Sequence, residues 1–221
     1  MSALPPTDLG GALAWLAAAL AAWQPATANA TLDLTPLGPA ALTELDDRLG
    51  RGEVAVVAGE EQIHECRLPG VWRHHRPPRL EVGPAPTLPA VAPSPTPLPV
   101  RPADLMNGEA ILAEITTRAT AYRPGDASHQ IHLSHLPLTP GDRAYLDARL
   151  GERPLRIHIL GYGETHITAA ALPHVWHIRH SNAAGQTLLS TLEIGALPEV
   201  VRATPEDLAD AAREAAAMAS E

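Results

Sequence analysis

Apolar positions along this chain fall into two spacings, and the spacings alternate in the same order twice. Residues 9–23 are apolar almost throughout and predict a buried helix. A short strand is expected at residues 31–34. Leu42, Leu45 and Leu49 then return at helical spacing across residues 39–49, with Gly50 as the stop. After that the spacing shortens to two: Val54 and Val56 share a face, and residues 62–68, 71–76 and 79–82 read as further short strands. The second half repeats the plan. Residues 108–122 stand as far before a strand at 131–133 as residues 9–23 stand before theirs. Leu155, Ile157 and Ile159 alternate as Val54 and Val56 do, and strands are expected at 165–171, 175–181 and 187–194.

The words repeat as well as the rhythm. Leu45-Asp46-Asp47-Arg48-Leu49-Gly50 returns as Leu146-Asp147-Ala148-Arg149-Leu150-Gly151, and Leu68-Pro69-Gly70-Val71-Trp72 returns as Leu172-Pro173-His174-Val175-Trp176. The second copy is longer between these words by a short insertion near Gly161-Tyr162-Gly163. The expected fold is α+β: an internal duplication of a helix, strand, helix and antiparallel meander, related by a pseudo-two-fold, with one more helix at the end. The expected divisions are residues 1–86 for the first repeat, 87–104 for a proline-rich linker, 105–200 for the second repeat and 201–221 for the last helix. Dense prolines from 77 to 102 favour a semi-rigid polyproline spacer. The last helix is signalled by Thr204 as N-cap, Pro205 at its first turn and a stripe of Leu208, Ala211, Ala212, Ala215 and Met218. It is expected to dock along the second copy.

Composition narrows the function. A net charge of -9 and a pI near 5.6 disfavour whole-surface binding to nucleic acid or anionic lipid. The chain has no Phe, so each of its four Trp supplies a large share of the aromatic packing. Cys66 is the single cysteine, which excludes an intrachain disulfide and a cluster held by four thiolates of this chain. The run at 9–23 is too short to span a bilayer, and its mirror inside the chain favours a folded helix over a leader.

No nucleophile elbow, phosphate loop, dinucleotide fingerprint or C-x-x-C motif is present, so no catalytic residue, metal ligand or cofactor is assigned. Histidines recur at three-residue spacing in His129, His132, His135 and in His174, His177, His180. On strands that spacing alternates faces, so neither triplet chelates one ion alone. A site assembled across strands, with His158, His166 or Cys66, is the alternative reading: a metal-handling or hydrolytic protein. The Val-Trp strands offer a surface. Alternation sets Trp72 and His74 against Val71, Arg73 and His75, and sets Trp176, Ile178 and His180 against Val175, His177 and Arg179. With the Trp sides packed on the helices, Arg73, His75, His177 and Arg179 form an open basic stripe for a partner. Trp72, Trp176 and Tyr162 complete the candidate partner-binding set.

The second copy, through Pro137-Leu138-Thr139, Asp142-Arg143, Gly161-Tyr162-Gly163, Val175-Trp176, Thr191-Leu192-Glu193 and Pro205-Glu206-Asp207-Leu208, resembles the conserved C-terminal region of the HupH/HyaF family of hydrogenase expression and formation proteins. The first copy agrees through Gly52-Glu53-Val54, Glu65 and Gly70-Val71-Trp72. The resemblance implies a cytoplasmic, non-catalytic, chaperone-like accessory protein in the maturation of a nickel-iron uptake hydrogenase. Its implied partner is the small iron-sulfur subunit or another maturation protein, with no nucleic acid and no membrane insertion. The sequence departs from the family pattern at Glu164-Thr165-His166, where a cysteine is expected, and at His177, His180 and Ser181, where aromatics are expected. A redox or cluster-handling role would need that cysteine; partner docking would not.

Overall fold

Asp8 accepts a hydrogen bond from the Gly11 backbone and opens the first helix, α1 (Leu9–Ala22), whose apolar length is then buried along Ala12, Leu13, Leu16 and Leu20. The computed structural model describes residues 6–94, 101–161 and 163–220. After α1 come β1 (Ala30–Asp33), α2 (Pro39–Leu49) and four strands: β2 (Val54–Ala58), β3 (Glu61–Glu65), β4 (Val71–His75) and β5 (Pro78–Val82). The order recurs with α3 (Gly108–Ala121), β6 (His129–His132), α4 (Pro140–Leu150), β7 (Leu155–Leu160), β8 (Glu164–Ala169), β9 (Val175–Ser181) and β10 (Thr187–Ile194). The helix α5 (Pro205–Met218) closes the chain. The protein is α+β, with antiparallel strands. No helix among the described residues is long and apolar enough to cross a membrane.

The chain divides into two compact units. One comprises the residues up to 56 with 60–89 and 201 onward; the other comprises 57–59 and 90–200. In the first unit the strand order is β1-β5-β4-β3-β2. Its helices bury Leu13, Leu16, Leu20, Leu45 and Leu49 against Leu32, Val71, Leu80 and Val82. In the second unit the order is β7-β8-β9-β10-β6, every neighbouring pair antiparallel. There Ile111, Ile115, Leu146 and Leu150 meet Val175, Leu192 and Ile194. Both helix layers thus rest on branched aliphatic residues, which present a level surface to the leucines above.

Two expectations are corrected. The last helix docks in the first unit and not along the second copy: Leu208, Ala211 and Ala215 belong to the core that holds Leu16 and Leu45. Gly70 explains the choice. It has φ +75, and a Cβ there would lie 2.3 Å from Leu208 Cδ2, so the bare backbone makes the seat for that leucine. The matching word of the second half carries His174 in place of the glycine, and its exposed ring lies 4.9 Å from that of Tyr122. Arg67 pairs with Glu214 at 3.3 Å, and Ala203 N–H donates to the Pro84 carbonyl, which fixes the entry to the helix.

The second correction concerns the sheet faces. Alternation along β4 and β9 is as expected, but the helices lie on the Val71 and Val175 sides. The Trp sides face away from the helices, yet they are buried too, through Ile63, Trp72 and His74 in one unit and Ile157, Ile167, Trp176 and Ile178 in the other. The proline-rich segment is also more than a spacer. Thr87 donates its N–H and hydroxyl to Glu81, the Val91 carbonyl accepts from Arg153, and Ser94 N–H donates to the Glu152 carbonyl.

Candidate functional site

With the helices on the Val side, Arg73 lies beneath α2 instead of on an open face. Its side chain is 5% exposed, and its guanidinium reaches Asp46 of α2 through Nε at 2.7 Å and Nη2 at 3.3 Å, with a further bond to the His74 carbonyl. A guanidinium survives there because a carboxylate faces it in fork geometry. His75 extends the same face and meets His64, with Nδ1 of His64 and Nε2 of His75 3.0 Å apart. Burial first, then Arg51 and His75, push His64 down to about 4. His75 is lowered too, chiefly by burial.

The second unit builds the corresponding place with different residues. His177 bonds Ser190 Oγ through Nε2 at 2.9 Å, and its Nδ1 stands 3.9 Å from Asp147 of α4. Burial, followed by Arg179, lowers its pKa. Serine, histidine and aspartate together have the composition of a hydrolytic triad, but 3.9 Å is beyond hydrogen-bond reach and Ser190 is nearly buried in the body of β10. Arg179 is exposed at the edge of a recess of ≈ 100 Å³ that Asp147, Glu152, Thr168 and His177 also line. The expected stripe is therefore broken up: Arg73 is in an interface, His75 and His177 are partly buried, and Arg179 faces solvent.

Trp72 and Trp176 are core residues and not surface anchors. Each indole N–H donates to a glycine carbonyl just past the next strand, Gly83 at 3.0 Å and Gly195 at 3.1 Å. A buried indole needs such an acceptor, and the absence of Phe was the signal that these rings would be claimed by packing. Tyr162 lies outside the described residues. Within the histidine triplets His129 bonds Glu114, His132 bonds Thr191 and His180 bonds Thr165, while the rings of His132 and His135 lie 5.6 Å apart. Cys66 is buried, and burial pushes its thiol up to about 12, so it is a packed and unreactive group.

Three features lay outside the sequence reading. Asp142 accepts N–H bonds from Met106, Asn107 and Gly108 at 2.8–2.9 Å while closing the capping box of α4 with Thr139. Glu81 is fully buried and accepts from Asn29 at 2.6 Å and from Thr87, with His74 Nε2 at 2.7 Å; the other ring nitrogen of His74 lies 2.7 Å from Glu61. Burial alone would raise Glu81, but these bonds hold it at about 2. A groove of ≈ 540 Å³ runs beside β6 and α3, lined by Ile111, Ile131, Leu136 and Pro137 with His129 and His132 among its polar groups.

Two sheet-and-helix units, with most histidines and carboxylates engaged by neighbouring strands and helices, define a class of α+β protein whose polar clusters brace the fold. The family model described as the HupH hydrogenase expression protein, C-terminal conserved region, matches residues 11–76 and 105–221. The chain belongs to this family. It is 35% identical over 201 residues to hydrogenase expression/formation protein HoxQ of Cupriavidus necator, covering 84% of this chain and 71% of that one. It is also 35% identical over 207 residues to hydrogenase-1 operon protein HyaF of Escherichia coli, covering 80% and 72%. Hydrogenase expression/formation protein HupH of Rhodobacter capsulatus is 35% identical over 197 residues, covering 83% and 70%. A solved structure, hydrogenase expression protein HupH from Thiobacillus denitrificans, is similar at 34% identity and a TM-score of 0.47, over 52% of this chain and 97% of that chain.

Proposed function

We propose that the protein is a cytoplasmic, non-catalytic accessory factor in the maturation of a nickel-iron uptake hydrogenase, and that it holds the small iron-sulfur subunit or another maturation protein before assembly or export. The observation that carries this reading is the family match across both halves of the chain, together with relatives named for hydrogenase expression and formation. The part of the basic stripe able to meet a partner is Arg179, with His177 below it and His75 in the first unit. Arg73 serves the fold.

The twin-module reading belongs to the same proposal: residues 1–86 and 105–200 as repeats related by a pseudo-two-fold, with 87–104 as the connection and 201–221 as an added helix. It is supported by paired details. The two indoles bond glycine carbonyls in matching places. Glu81 accepts from the backbone of Thr87, and Glu193 accepts from that of Glu199, six residues on in each case. Gly50 and Gly151 end α2 and α4 with nearly the same backbone angles.

The test is capture from cells that express the hydrogenase, followed by identification of the small-subunit precursor and known maturation proteins. The intact chain should retain one of them, and Arg179→Glu should retain less. If neither is retained, the maturation role is wrong.

A further inference from the structure

We infer that His158, Glu164 and His166, brought onto one face of the β7–β8 hairpin, bind a single divalent first-row transition ion of the zinc and nickel class. The register between β7 and β8 sets His158 directly opposite His166, so both imidazoles leave the sheet on the same side. Their rings lie parallel, with centroids 4.4 Å apart and an interplanar angle of 11°. Glu164 is two residues before His166 on the same strand and therefore shares its face. Its Oε2 lies 3.1 Å from His166 Nε2 and 3.6 Å from His158 Nε2. Three ligand atoms thus converge, all within 4.8 Å of one another.

The second observation concerns His158. Its Nε2 is shielded from solvent and has no hydrogen-bond partner among the described residues, and the carboxylate it faces stands too far off to supply one. An ion with bonds of about 2.0–2.2 Å to nitrogen and oxygen would satisfy that nitrogen and draw the three atoms together. The contraction needs only side-chain rotation, because Glu164 and His166 are about half exposed. Two imidazoles and one carboxylate favour ions of intermediate softness over calcium or magnesium, which prefer all-oxygen sets. Three protein ligands also leave positions open for water or for a ligand from another molecule. The sequence placed His158 and His166 among cross-strand candidates; Glu164, contributed by the turn end of the hairpin, completes the set.

This inference does not depend on the maturation role. The experiment uses the full chain without a histidine tag, stripped of metal and titrated with zinc chloride or nickel chloride by calorimetry. Amide hydrogen exchange is followed in parallel. One ion per chain is expected, with exchange slowed across residues 157–167. The His158→Gln/His166→Gln double variant should bind at least about tenfold more weakly, and Glu164→Gln should be affected less than the double variant. Both variants alter exposed or half-exposed positions and should keep the metal-free melting temperature of the parent. Equal affinity and stoichiometry in the parent and the double variant, or protection that falls outside the hairpin, would overturn the assignment by giving the ion to other histidines.

Discussion

Asp142 ties two helices with one carboxylate. It accepts the N–H groups that open α3 and completes the cap of α4, and although burial would raise its pKa, the bonds from Met106, Gly108, Thr139 and Asn107 hold it at about 2. Asp142→Asn keeps the shape but loses the charge and part of the acceptor capacity. It should lower the melting temperature by several degrees, measured by calorimetry, while Asp126→Asn on the surface should leave it unchanged. His64 gives the opposite kind of residue, one that the fold keeps neutral. Its ordinary value is 6.5 and its folded value about 4, so the unfolded chain takes up the proton more readily between those limits. The fold should therefore lose stability as the pH falls from about 6.5 to about 4, with His75 and His177 acting in the same direction. Glu81 and Asp142 add a second loss below their ordinary values of 4.5 and 3.8, as each is protonated toward about 2. Urea midpoints measured across this range should fall in both stages, and His64→Gln should flatten the first. A midpoint that stays level from pH 6.5 to 4 would contradict the burial assigned to these histidines.

At the scale of elements, α5 is held by a seat that has no side chain. Leu208 fills the space over Gly70 and is 1% exposed. Leu208→Ala should cost about 3 kcal/mol in chemical denaturation, from lost transfer and the cavity left behind. Gly70→Ala should do similar damage by a different route, since it adds a Cβ at positive φ in the path of the leucine. In both variants the amides of α5 should exchange faster than those of α3. The order of helices and strands was legible, because apolar spacing and end signals such as Gly50, Thr139 and Thr204 act locally. The docking of α5 was not, because its stripe fits any apolar layer, and the contacts that select one, the seat at Gly70, the Arg67–Glu214 pair and the Ala203 bond to Pro84, join residues far apart in sequence. The choice of sheet face was likewise hidden. Both faces of β4 carry apolar and polar residues in alternation, so the pattern alone ranks neither.

For the whole molecule, the two arginines of the basic stripe separate the roles of fold and partner. Arg73→Glu would bury a second carboxylate beside Asp46 and should unfold the first unit or lower its stability by about 3 kcal/mol or more. Arg179→Glu alters an exposed position and should leave stability unchanged while weakening capture of the proposed hydrogenase-related partner by about tenfold. Reversal of that ranking, with Arg179 needed for folding, would refute the division. What the sequence determined by itself was the repeated order of elements, the spacing of their buried residues and the family resemblance, since each depends on neighbours close along the chain or on residue identity; His158 and His166 it offered only as candidates. The tertiary structure alone decided which face of each sheet the helices cover, which unit receives α5, and that Arg73 pairs with Asp46 while Glu164 joins His158 and His166. Those outcomes depend on register and on the fit of surfaces far apart in sequence, and hydrophobic burial, being non-directional, favours several such packings until shape and charge select one.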